Sequence, residues 1–192
     1  MARRRNRNRS RIAGLLAAVA AVGVAIGVVV ASTGGGTSSP NATPTVSVAP
    51  SHGVVRAGDA APSFSGTATD GSHVDLAALH GRVVLLSFFA SWCTNCREDL
   101  PRVQAAGAAY ASRGLSVLPI SYLETGDSAS FLRSIGVTVP SLIDASNRIG
   151  EAYGITGLPV TVWVGKDARV PSVLQGQLTQ EALDAELAQL LR

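Results

Sequence analysis

The seven residues from Val83 to Phe89, Val-Val-Leu-Leu-Ser-Phe-Phe, constrain the fold of this chain more than any other stretch. A run this short and this apolar, built of β-branched and aromatic side chains at its ends, has the character of a central strand buried on both faces. Such a strand needs one packed layer above it and another below. After it the period changes: Leu100, Val103, Gly107 and Tyr110 recur at helical spacing, and Gly114 supplies a C-terminal stop. Where strand gives way to helix stands Trp92-Cys93-Thr94-Asn95-Cys96, which holds both cysteines of the sequence.

This spacing places Cys93 at a helix N-terminus, where unpaired amides and the helix dipole favour a negative charge, so its thiol should ionise more readily than a free one. Lowering a thiol pKa from about 8.5 to about 7 needs roughly 2 kcal/mol of preference for the thiolate, which is the nucleophile. Cys96, one turn further along, falls on the same face, within the Cα separation of roughly 4.4 to 6.8 Å that a disulfide spans. The pattern is that of a redox dithiol. Half of a zinc site would need two further ligands, but His52, His73 and His80 all precede the pair and lack metal-binding spacing. No metal and no cofactor is therefore expected. A purely structural bridge would close so short a loop that little chain entropy would be removed.

The N-terminus carries a different message. Residues 1–11 hold six arginines and no acid, and residues 12–31 form an uncharged run of Ala, Val, Ile, Leu and Gly. The apolar run approaches the ~20 residues a membrane-crossing helix needs and exceeds a signal-peptide core, so an uncleaved signal-anchor is expected, with the arginines inside and all that follows exported. Val29-Val30-Ala31 also resembles a cleavage site, and cleavage there would yield a secreted form. Residues 32–52, rich in Ser, Thr, Gly, Pro and Ala, cannot bury enough apolar surface to fold and read as a linker with a span of about 25 Å. Without the basic head, the remaining 10 lysines and arginines face 13 acids, a net charge of −3. Nothing basic is left for nucleic acid, because the positive charge belongs to membrane topology.

Residues 53–192 suit one domain with one core. Phe64 to Thr69 and Ser72 to Asp75 flank Asp70-Gly71, a hairpin signal. Leu115 to Ser121 is a second apolar strand. Asp127 can cap a helix carrying Phe131, Leu132 and Ile135 and stopped by Gly136. Pro140 introduces the short apolar stretch Ser141 to Ile143, and Asn147 to Tyr153 reads as one short helix ended by Gly154. Val160 to Val164 and Val170 to Leu174 form a hairpin across Gly165-Lys166-Asp167, with Pro171 marking an edge strand. Thr179 caps a final helix whose Leu183, Leu187, Leu190 and Leu191 face the core. This order implies an α/β fold, a mixed sheet with helices on both faces.

Several segments together resemble the thioredoxin superfamily, and within it the exported, membrane-anchored TlpA/ResA/CcmG-like thiol-disulfide oxidoreductases. They are the opening Gly58-Asp59-Ala60-Ala61-Pro62-Ser63-Phe64, the strand and motif Leu86-Ser87-Phe88-Phe89-Ala90-Ser91-Trp92-Cys93, the helix start Cys96-Arg97-Glu98-Asp99-Leu100-Pro101, and Tyr153-Gly154-Ile155-Thr156-Gly157-Leu158-Pro159-Val160-Thr161. The resemblance implies a thioredoxin-like sheet with an N-terminal β-hairpin extension. It further implies a cis Pro159 packed near Cys93, Leu158 and Val160 flanking a substrate peptide through their backbone, and Trp92 shaping the surface around the thiol; Trp92 is otherwise a core residue by its apolar bulk. Departures from the pattern are equally specific. Thr94-Asn95 replaces the proline-containing dipeptide usual between the cysteines, and Ser87 stands where thioredoxins hold a buried aspartate. Glu124 lies near a loop where related reductants carry a glutamate, and is otherwise a solvated acid. The peroxiredoxin motif P-x-x-x-T-x-x-C is absent, as are the wider cysteine spacing and distal histidine of copper-delivery relatives.

The expected activity is disulfide exchange, with Cys93 attacking and Cys96 resolving. The partners would be exported proteins with thiols or disulfides and a membrane or soluble electron-exchange protein; cytochrome c maturation is one task of the family. A disulfide-forming oxidant, or a non-enzymatic anchored binding module, are the alternatives.

Overall fold

The computed structural model describes residues 46–49 and 53–192. The apolar run 12–31, its arginine head and most of the linker lie outside the described residues, and among the described residues no helix is long and apolar enough to cross a membrane.

Strand β4 (Val83–Phe89) is buried along its whole length, as its composition requires. It lies at the middle of a five-stranded sheet of order β6-β5-β4-β7-β8, with β5 (Leu115–Ser121) and β6 (Leu142–Ile143) parallel to it and β7 (Val160–Val164) antiparallel. The edge strand β8 (Ser172–Gln175) runs antiparallel to β7. Its pairing begins two residues later than Val170, because the turn from Gly165 closes at Arg169 and Val170 commits both its backbone groups to the domain opening, its amide to Asp59 O and its carbonyl to the Gly58 amide.

The side-chain alternation of β4 sorts the core into layers. Val84, Leu86 and Phe88 face a cluster with Phe64, Tyr122, Leu142, Ile149, Tyr153 and Val162. Val83 and Leu85 face the other way, onto Val103 and Ala106 of helix α1 (Cys96–Tyr110) and Leu183 and Leu187 of α4 (Gln180–Leu190). Helix α2 (Ser128–Ser134) contributes Phe131 and Leu132 to a third cluster, around the cysteines. The short α3 (Arg148–Ala152) closes the first face, and its Gly150 has no room for a side chain because the Tyr122 ring lies against it. Helices thus cover both faces, as the alternation of elements implies.

The local signals act as read. Asp127 accepts the amides of Ala129 and Ser130, and Thr179 that of Ala182. The Asp70-Gly71 turn joins β2 (Phe64–Thr67) to β3 (His73–Asp75), with Asp70 accepting both the amide and hydroxyl of Ser72. One difference concerns the linker. Ser47–Val48 forms strand β1, paired antiparallel with Phe64 and Ser65, and Val46 is buried against the core. Its place in a sheet comes from the partner strand, not from any periodicity of its own.

Candidate active site

At the end of β4 the chain turns on itself: the Cys93 amide donates to the Ala90 carbonyl at 3.1 Å, and the Thr94 and Asn95 carbonyls accept the first helical amides. Helix α1 begins at Cys96, so both cysteines stand earlier relative to the helix than their spacing suggests. Cys93 precedes it by a short turn, and Cys96 is its first residue. Asn95, at the N-cap, makes no side-chain capping bond. Instead the Cys96 amide points at Cys93 Sγ, 3.2 Å away. The helix terminus therefore acts on the Cys93 sulfur directly, as a hydrogen bond plus a dipole, both of which favour a thiolate.

Cys93 and Cys96 are joined as a disulfide with a Cα separation of 5.3 Å, inside the range required. The two sulfurs have different surroundings. Cys96 is 0 % exposed and Cys93 5 %, and both belong to a cluster with Phe89, Leu100, Phe131, Leu132 and Val137. Leu158 packs against the same cluster. The Leu158–Pro159 bond is cis, and Pro159 is buried. Val160 opens β7, paired with Phe88 on one side and Gln175 on the other, and its side chain lies in the core, so any contact with a partner falls to its backbone.

Trp92 is not a core residue. It is 52 % exposed, and its Nε1 donates to the Leu123 carbonyl at 2.8 Å. The polypeptide that follows β5 explains this: Tyr122 donates its amide to Phe89 O and anchors its hydroxyl on Ile155 O, carrying residues 123–127 across the end of β4. There Glu124 proves to be far from a solvated loop acid. Its carboxylate accepts the Ser91 amide (2.8 Å) and hydroxyl (2.6 Å), the Thr125 and Gly126 amides and the Ser128 hydroxyl. Burial pushes the Glu124 carboxyl up, but the bonds from Ser91, Gly126 and Ser128 outweigh it and hold the group below the ordinary carboxylate range. Glu124 thereby fixes the residue two before Cys93.

Asp99 is an acid that the sequence reading passed over. One turn beyond Cys96, it is buried, and accepts the Leu178 amide at 3.0 Å and an Arg102 guanidinium N–H at 3.1 Å. Burial drives its carboxyl above the ordinary range, against the Leu178 amide and Arg102. Its i,i+3 relation to Arg102 is visible in the sequence, but its burial depends on Leu178, 79 positions away.

A strand leading into a nearly buried dithiol, a helix amide on the first sulfur and a cis proline next in the chain to Leu158 of the same cluster define a thioredoxin-type site. Comparison with known proteins agrees: a model of the AhpC/TSA family matches residues 57–173. The chain belongs to the AhpC/TSA family. Within the thioredoxin superfamily to which its fold assigns it, this member is similar to the thiol-disulfide oxidoreductase ResA of Oceanobacillus iheyensis, 30 % identical over 139 residues that cover 70 % of this chain and 72 % of the relative. ResA of Bacillus subtilis is 27 % identical over 127 residues, covering 66 % of this chain and 71 % of that one. Among solved structures, a thiol:disulfide interchange protein DsbE from Chlorobium tepidum superimposes with a TM-score of 0.66 at 28 % identity, over 72 % of this chain and 99 % of that one.

Proposed function

We propose that this AhpC/TSA-family chain is a thiol-disulfide oxidoreductase that exchanges disulfides with exported proteins through Cys93 and Cys96. The observation that carries the reading is the Cys96 amide aimed at Cys93 Sγ across a disulfide-bonded pair. In the reducing direction, the Cys93 thiolate attacks one sulfur of a partner disulfide; a new S–S bond forms, the partner's bond breaks, and its second sulfur leaves as a thiolate. Cys96, on losing its proton, then attacks Cys93 Sγ, closing the Cys93–Cys96 disulfide and releasing the partner as a dithiol. Two electrons have moved to the partner. The reverse sequence forms a disulfide in the partner, and a second thiol-disulfide protein, membrane-bound or soluble, resets the pair. Trp92, Leu158, Pro159 and the Val160 backbone bind the partner segment.

The test is insulin reduction in the presence of a recycling dithiol reductant. The wild type should accelerate insulin-chain precipitation at least tenfold over background, and a protein silent from both its oxidised and reduced forms would overturn the enzyme reading in favour of a binding module. Direction follows from the Cys93/Cys96 potential: a value near roughly −270 mV makes the protein a reductant, for which apocytochrome c cysteines are a substrate class, and one near roughly −120 mV an oxidant.

Location rests on the sequence before the domain. A bilayer-length apolar run behind six arginines supports a single-pass anchor with the domain on the extracytoplasmic side. The full chain should stay with membranes through alkaline carbonate, and external protease should digest the domain in intact cells. Recovery of a soluble form beginning near Ser32 would show cleavage instead.

A further inference from the structure

Among the described residues, the large apolar side chains left exposed are Val54, Trp92 and Leu123. Two of the three, Trp92 and Leu123, are joined by a hydrogen bond, and Trp92 directly precedes Cys93. Leu123 is 39 % exposed, and its carbonyl accepts the Trp92 indole N–H. Its backbone has φ 54°, the left-handed region, which a leucine rarely adopts and which glycine or asparagine would occupy with less strain. The conformation is imposed from every side. Asn147, itself left-handed at φ 59°, accepts the Leu123 amide on Oδ1 at 3.0 Å; the indole holds the carbonyl; Tyr122 before and Glu124 after are tied to Phe89 and Ser91. A leucine here gains neither core burial nor backbone ease. What it contributes is exposed apolar surface on the residue that holds the Trp92 indole, next in the chain to Cys93.

The neighbours in the two loops are mostly neutral, and the nearby charges are engaged elsewhere: Arg97 lies over the Phe131 ring and Asp127 caps α2. Thr94, Asn95 and Thr125 are exposed neutral residues of the same two loops, and the Glu124 carboxylate is occupied by donors from Ser91, Gly126 and Ser128. We propose that Leu123 is a specificity-determining residue, forming with Trp92 an apolar platform that receives a bulky apolar side chain adjacent to the reactive cysteine of a partner polypeptide. An exposed apolar pair held rigid by its backbone binds such a side chain without first losing loop entropy. The inference rests on the oxidoreductase reading above.

The experiment compares two peptide disulfides identical except for the residue preceding the cysteine, leucine in one and serine in the other, as substrates of the wild type and of Leu123→Gly. Glycine suits the left-handed backbone, so the variant should fold with unchanged or raised thermal stability. The wild type should prefer the leucine peptide in kcat/KM, and in Leu123→Gly that preference should fall about tenfold, through KM. The midpoint of Cys93 alkylation against pH should not move. Leu123→Asn, which also tolerates the backbone but ends in a polar group, should lose the preference as well. An unchanged preference in both variants would overturn the proposal, as would equal losses for both peptides with a shifted Cys93 midpoint, since Leu123 would then act on the dithiol and not on the partner. A wild type that exchanges with neither peptide would instead overturn the oxidoreductase reading.

Discussion

Cys96→Ser is expected to convert the protein into a trap: partner proteins should accumulate on Cys93 as mixed disulfides that reductant releases, while net disulfide exchange falls on the order of a thousandfold or more, the scale of loss when a covalent-catalysis residue is removed. Cys93→Ser should abolish exchange equally but trap almost nothing. The asymmetry has two sources. Cys93 is the sulfur with some exposure and the one that receives the helix amide, whereas Cys96 is fully enclosed by Phe89, Leu100 and Phe131. An attacking thiolate from outside therefore meets Cys93 first. In the reduced single mutants, Cys93 should alkylate faster and with a lower midpoint in pH than Cys96. Equal trapping by the two variants, or faster alkylation of Cys96, would reverse the assignment. Because the helix starts at Cys96, the difference comes from burial and the direction of one amide, not from a whole turn of distance along the dipole.

The second large effect falls on Glu124. Glu124→Ala should destabilise the fold by about 2–4 kcal/mol, because it leaves two donors on Ser91, two amides of its own loop and the Ser128 hydroxyl without their shared acceptor, and only some of these can turn to water. The sign with pH follows from its lowered carboxyl. A group whose pKa is lower folded than unfolded contributes stability above its unfolded value, about 4.3, and that contribution is lost as pH falls through the folded value. The gap in unfolding free energy between wild type and Glu124→Gln should thus be widest near neutrality and narrow steadily below about pH 4. Urea unfolding of both proteins at a series of pH values measures it. A gap that stays constant with pH would mean that the charge is not what these donors recognise. Since Ser91 lies two residues before Cys93, Glu124→Ala should also narrow the reactivity difference between the cysteines, seen as slower Cys93 alkylation.

Much of the fold is written locally. The bounds of β4, β5 and β7 coincide with contiguous apolar runs because a strand buried on both faces tolerates no polar interruption beyond a serine or threonine. Asp127, Thr179 and Asp70-Gly71 act on amides within three residues, so their roles follow from spacing alone. The dithiol belongs to the same class: Cys93 and Cys96, three apart after a strand, reach disulfide distance without help from the rest of the chain.

The tertiary structure decided what surrounds the dithiol. Trp92 carries the apolar bulk of a core residue, yet its position past the end of β4 and the capture of its indole N–H by Leu123, 31 positions later, leave it at the surface. Glu124 reads as a solvated acid until the loop after β5 folds back onto Ser91, and the burial of Asp99 comes from Leu178, 79 positions later. Strand β1 exists because Phe64 and Ser65 supply a partner. The physical reason is common to all of these. A strand, a cap or a cysteine pair is determined by interactions within a few residues, which sequence order displays, whereas burial of an acid or exposure of a leucine is settled by groups brought together from 30 to 80 positions apart, which only the packed chain contains.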